Sequence, residues 1–213
     1  THMIYVTSNA KKIYTTNVAS GTISIFQDTP KPGGNFGPPK TAASKGNMPP
    51  PPPGNSGPSN RQTRENWEQT IVPVAKGAEG FDVSPDSAEL WTASAEDGKI
   101  YVINLATKKL TTTIDAKVNG ANRLQFTPNG KLVFISSLSS GNLTVFDAKT
   151  RKLVKQINIG TGAAGIQMHP GGSRVFIACT AENYIAVIDL NTIEIVNKLH
   201  VGGNPDGLAW AVE

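Results

Sequence analysis

Gly80-Phe81-Asp82-Val83-Ser84-Pro85 decides the fold, because the chain writes it again as Arg123-Leu124-Gln125-Phe126-Thr127-Pro128 and as Gly165-Ile166-Gln167-Met168-His169-Pro170. The three prolines recur every roughly 42 residues, within the ~40–45 of a four-stranded repeat. Asn104, Asp147 and Asp189 keep the same spacing, and so do Thr107, Thr150 and Thr192. Outward from the quoted stretch, each unit falls into four short runs rich in Val, Ile, Thr and aromatic residues. In the best-marked unit these runs are 81–84, 90–93, 100–103 and 110–114, called a to d below. Turn signals separate them: Pro85-Asp86, Glu96-Asp97-Gly98 and Leu105-Ala106-Thr107-Lys108.

One small sheet of this kind cannot bury both its faces. Packing such sheets face to face around an axis solves the problem, so the chain is predicted to be an all-β propeller of four-stranded antiparallel blades. The blades are read as 1–76, 77–117, 118–160 and 161–202. The first carries an insertion over 27–66, with Pro30-Lys31-Pro32-Gly33-Gly34 and a proline run at 49–53. That composition suits extended, solvated chain, or a polyproline segment read by a partner groove. Residues 203–213 open a fifth strand a.

These residues resemble the YVTN-type propeller repeat, of the lactonase-like and cytochrome d-type propeller superfamily. The resemblance rests on Gly80–Asp86, Ile13-Tyr14-Thr15-Thr16-Asn17 and Val187-Ile188-Asp189-Leu190-Asn191-Thr192, and it covers nearly the whole chain outside the insertion. Asp86-Ser87 lacks the usual turn glycine, and Asn17 is not repeated at Ser94, Ser137 or Cys179. The resemblance implies a ring of about seven blades, of which about four are present, and an envelope setting, periplasmic or secreted. The chain is thus read as a fragment whose partners are missing N-terminal blades or a second copy of itself. A closed four-bladed ring would leave Leu208–Val212 without a blade.

Charge and composition exclude several classes. The net charge of +4 comes partly from Lys31, Lys40, Lys45, Arg61 and Arg64 in the insertion. No basic stripe with interleaved aromatics appears, so nucleic acid is not expected as a partner. No apolar run reaches the ~18 residues of a membrane span. Cys179, the single cysteine, is read as a small buried filler. His2, His169 and His200 do not come together in the repeat frame, so neither a metal site nor a His-based nucleophile is expected. Related propellers hold haem or quinone cofactors, but no axial ligand can be placed here, and no cofactor is expected.

Candidate ligand residues come from fold-level analogy, which puts ligands at the channel mouth on the face of the d–a and b–c loops. There the d–a loops bring Glu79, Asn122, Arg123 and Asp206, and the b–c loops bring Glu96, Asp97, Asn142, Glu182 and Asn183. Arg123 stands where the other units have Gly80, Gly165 and Gly207. A guanidinium there either binds a carboxylate or phosphate or pairs with a neighbouring carboxylate. Asp147 and Asp189 are read as turn caps, Trp91 and Trp210 as core residues, and Trp67 as the anchor of the chain returning from the insertion.

With no convergent catalytic set, the leading expectation is a non-catalytic binding or scaffold propeller for a protein, a glycan or an anionic small molecule. One alternative is a lactonase-like or cofactor-dependent enzyme with its catalytic residues on other blades. Another is a structural surface-layer module.

Overall fold

The short apolar runs pair as antiparallel hairpins, four strands at a time. The structure is a computed structural model that describes residues 1–29 and 66–211. The first blade is β1 (Ile4–Val6), β2 (Lys12–Asn17), β3 (Thr22–Asp28) and β4 (Trp67–Pro73). The second is β5 (Ala78–Val83), β6 (Glu89–Ser94), β7 (Ile100–Asn104) and β8 (Lys109–Ile114). The third is β9 (Ala121–Phe126), β10 (Leu132–Ser137), β11 (Asn142–Asp147) and β12 (Leu153–Asn158). The fourth is β13 (Ala163–Met168), β14 (Arg174–Cys179), β15 (Tyr184–Asp189) and β16 (Glu194–His200). Each forms its own four-stranded sheet in chain order. This is the all-β propeller architecture expected from the repeat.

The core lies between the blades. Tyr14, Ile23 and Ile25 of the first meet Phe81, Val83, Leu90 and Ile103 of the second. Trp91, Ile100 and Val102 meet Leu124, Phe126, Val133 and Ile135. Phe134, Leu143 and Val145 meet Met168, Val175, Ile177, Ala186 and Ile188. Strands a, b and c of neighbouring blades thus bury their faces against each other, which offsets the backbone ordering cost. Trp91 is fully buried and meets the Phe126 ring edge-on at 5.6 Å. The fourth strand of each blade has little to cover it, and β16 is exposed along its whole length.

Three sequence readings need correction. Strands β3 and β4 run further than read, through Asp28 paired with Trp67, and Thr29 donates to the Asn66 carbonyl at 2.9 Å. Residues 27 and 28 therefore belong to a strand, while residues 30–65 of the predicted insertion, with its proline runs and basic residues, lie outside the described residues. Residues 203–211 form no strand, because a ladder needs a hydrogen-bonded neighbour and none of the described strands pairs with them. Trp210 is not a core residue: it is 44% exposed and meets the His169 ring edge-on at 4.9 Å. Asp206 still docks as a next inner strand would, with its carbonyl packed on Gly165, and Thr180 Oγ1 donates to the Pro205 carbonyl at 2.7 Å.

Candidate functional site

The inner strand of three blades carries one residue more than its partner. Ala78 pairs with Ser94 but Phe81 with Thr92. The same shift lies between Ala121 and Leu124, and between Ala163 and Ile166. The bulged residues are Glu79-Gly80, Asn122-Arg123 and Ala164-Gly165. A bulge bends its strand and re-aims side chains, often beside sites. The sequence reading put Glu79, Asn122 and Arg123 in d–a loops. They lie in strands, at the bulges, because β5 and β9 begin earlier than read. Gly80 is required there: a Cβ would run into the Asn122 carbonyl and the Arg123 backbone. The bulges are also stitched across blades, with Thr16 Oγ1 donating to the Glu79 carbonyl at 2.9 Å and Ser136 Oγ to the Ala164 carbonyl at 2.6 Å.

Three predicted residues converge on one atom. Glu79 Oε1 accepts from Asn122 Nδ2 at 2.9 Å and from Arg123 Nη1 at 3.2 Å, bonds that cross from the second blade to the third. His2 Nε2 lies 3.2 Å from the same oxygen. Sequence reasoning missed His2, although its place before β1 matches that of Glu79 in β5. Arg123 Nη1 also donates to the Asn122 carbonyl at 3.2 Å. The Arg123 and Glu79 side chains keep 21% and 24% of their exposure, so the pair is neither sealed nor free in water. Asn122 is buried, and its Oδ1 accepts no hydrogen bond. Among the described residues Glu79 Oε2 likewise has no partner, and Arg123 engages only Nη1.

Arg123 borders a cavity of about 260 Å³ enclosed by the inner strands of all four blades and residues 207–208. Asp82 lines the same cavity and was not foreseen. Its Oδ1 accepts from Val83 N at 2.8 Å, and its Oδ2 reaches across to Phe126 N at 2.9 Å. Gln125 repeats the bridge one blade on, to Met168 N at 3.0 Å. Burial outweighs those two N–H groups and pushes the Asp82 carboxyl up to about 6.

The remaining candidates do not join the Arg123 cluster. Asp97 accepts from the Tyr101 hydroxyl at 2.5 Å and from Lys99 N at 3.0 Å. Burial pushes Asp97 up, but these bonds outweigh it and hold it below the usual carboxylate range, while Tyr101 is raised to about 12 by burial and by Asp97. Glu96 is exposed, and its backbone N–H donates to Ser94 Oγ. Glu182 takes the Thr161 N–H at 2.7 Å, which holds its carboxyl low. Asn183 adopts a left-handed turn, φ 57°, and accepts from Asn204 N at 2.8 Å. Asp206 is exposed. These residues build turns. Among the described residues no three His, Cys, Asp or Glu side chains gather as for a metal ion, and no helix is long and apolar enough to cross a membrane.

Comparison with solved structures finds the same architecture at low identity. Hydrazine synthase of Kuenenia stuttgartiensis superposes with a TM-score of 0.58 at 24% identity, covering 62% of this chain and 38% of its own. A functionally unknown protein from Desulfotomaculum acetoxidans gives 0.70 at 16%, covering 96% and 57%. A protein assigned as a 6-phosphogluconolactonase from Bacteroides uniformis gives 0.69 at 14%, covering 95% and 55%. The chain thus spans little more than half of these structures at most, and the likeness is one of fold. Comparison with curated proteins found no match. The cytochrome D1 heme domain model matches residues 53–173, more than half of the sequence. Four-stranded blades packed through shared cores, together with that match, show that the chain belongs to the cytochrome D1 heme domain family.

Proposed function

We propose that the chain is part of a propeller that binds an anionic ligand at the mouth of its central channel, on Arg123. The carrying observation is the Arg123 guanidinium at the cavity rim, engaged through one nitrogen, where the equivalent residues are glycines. A guanidinium with unused donors beside a cavity suits a carboxylate or phosphate. Within the family we read the repeat as YVTN-type and the setting as periplasmic or secreted. The ligand class stays as read from sequence: a protein, a glycan or an anionic small molecule. Titrating the chain with inorganic phosphate and with acetate, against Arg123→Ala, tests this. Binding lost in the variant, with an unchanged melting temperature, supports the site; unchanged affinity removes it.

The family's name implies a haem, and the described residues do not fit one. The cavity is smaller than the ~300 Å³ at the low end of ligand pockets. No His or Cys lines it, and of the residue types that ligate haem iron it has only Met3 and Tyr5.

The second reading, a lactonase-like enzyme, is favoured by the superposition on two proteins assigned as 6-phosphogluconolactonases, each matching at least 95% of this chain. Glu79 and Asp82 are the carboxylates it would draw on. Release of acid from glucono-δ-lactone, lost in Glu79→Gln or Asp82→Asn, would favour it over binding alone.

A further inference from the structure

The Arg123 site offers acceptors as well as donors. Glu79 accepts two hydrogen bonds on Oε1, where His2 Nε2 also lies at 3.2 Å, and none, among the described residues, on Oε2. Asn122 Oδ1 is buried and unpaired. Its amide cannot be turned over to relieve this, since Nδ2 is the atom that faces Glu79 at 2.9 Å. The next residue in the bulge series, Ala164, has no side-chain donor to give. An ionised carboxylate is acceptor-only, so a bare anion drawn to Arg123 meets repulsion from Glu79. A buried acceptor left unpaired costs free energy until a donor reaches it, directly or through one ordered water.

From this juxtaposition we infer that Glu79 sets the specificity of the site: it selects anions that carry their own hydrogen-bond donor, and rejects those that carry none. The inference rests on the anion-binding reading of Arg123. The ligand class is a proton-bearing oxyanion or a hydroxylated carboxylate. The anion faces Arg123 Nη2 and Nε, and its O–H faces Glu79. Arg123 supplies attraction and Glu79 supplies discrimination, which is a difference of affinities set partly by repulsion. Glu79 acts here as a specificity residue, and its monodentate hold on Arg123 leaves the rest of the guanidinium fork to the ligand.

The test uses matched pairs at neutral pH. Hydrogen phosphate and sulfate share charge and shape and differ in a proton; glycolate and acetate differ in a hydroxyl. Calorimetric or NMR titration of the wild-type chain is expected to show the first of each pair about fivefold tighter, the ratio given by about one net hydrogen bond. The phosphate arm alone showing the preference identifies a phosphate source; the glycolate arm alone identifies a carboxylate. In Glu79→Gln the preference should collapse toward unity, with sulfate and acetate gaining affinity. In Arg123→Ala all four anions should weaken. Equal affinities within both pairs in the wild type, with weakening still seen in Arg123→Ala, overturn the Glu79 inference and leave the Arg123 site standing. No effect of Arg123→Ala, or no anion binding to the wild type, overturns both. Should Glu79→Gln unfold, Glu79→Ala read by the same ratios replaces it.

Discussion

Asp82 lies on the inner strand β5, beside β9, and it spends both carboxylate oxygens on backbone N–H groups of two blades. Burial still dominates, raising it from 3.8 to about 6. An acid with a raised folded pKa holds more protons folded than unfolded, here between about 4 and 6. Its contribution to stability therefore falls as pH rises through that window and is constant above it. The full swing is on the order of 1–3 kcal/mol. Urea unfolding of the wild type and Asp82→Asn on either side of the window should show the variant gaining relative to wild type as pH rises. A difference that does not change with pH would refute this. Glu89 works in the opposite sense: its bidentate bond to Arg151, at 2.7 and 2.9 Å, holds its carboxyl low, so its contribution is lost as pH falls. The comparison must therefore be a difference between variants, so that Glu89 cancels.

At the scale of the element, the turn between strands c and d shows how a recurring residue becomes a recurring geometry. Asn104 Oδ1 takes Thr107 N at 2.8 Å and its hydroxyl at 3.0 Å. Asp147 does the same with Thr150 at 2.6 and 2.8 Å, and Asp189 accepts from Asn191 and Thr192. Asp147 and Asp189 are the turn caps read from the sequence, and Asn104 joins them. The residue that follows the cap's partner is left-handed each time: Lys108, Arg151 and Ile193, φ 54°, 64° and 54°. A side-chain acceptor that closes the turn holds a conformation non-glycine residues otherwise avoid. Asn104→Ala should cost about 1 kcal/mol, seen as a lower urea midpoint. Asn104→Asp should restore most of it, since either side chain presents the acceptor.

For the whole molecule, the inter-blade cores leave the outer face of the first blade open and that of the fourth covered only in part, by residues 205–210. The first blade exposes Ile4 and Val6, at 63% and 50%, and the fourth exposes Val196 at 54%. Apolar faces of this kind call for a cover. We propose that further blades of the same repeat supply it, and that a second copy does so when residues 1–213 stand alone. Light scattering of that chain should give twice the chain mass, falling to one with Ile4→Lys plus Val196→Lys; a monomeric wild type at tens of micromolar would remove the proposal.

The periodicity of apolar runs and turn residues was enough to specify four blades and the burial of Trp91, because a sheet's side chains alternate and its turns need particular residues. Those constraints are local and can be read along the chain. The bulges were not legible: whether Glu79 and Asn122 lie in a strand or a loop depends on hydrogen bonds to β6 and β10, and nothing in either residue announces them. The replacement of glycine by Arg123 marked the candidate site. Only the packing of neighbouring blades decided that Glu79, Asn122 and His2 would meet there, since residues far apart in sequence are brought within 3.2 Å by the curvature of the ring. Trp210 failed for the same reason, because a strand residue becomes core only when a neighbouring strand and sheet stand ready to cover it.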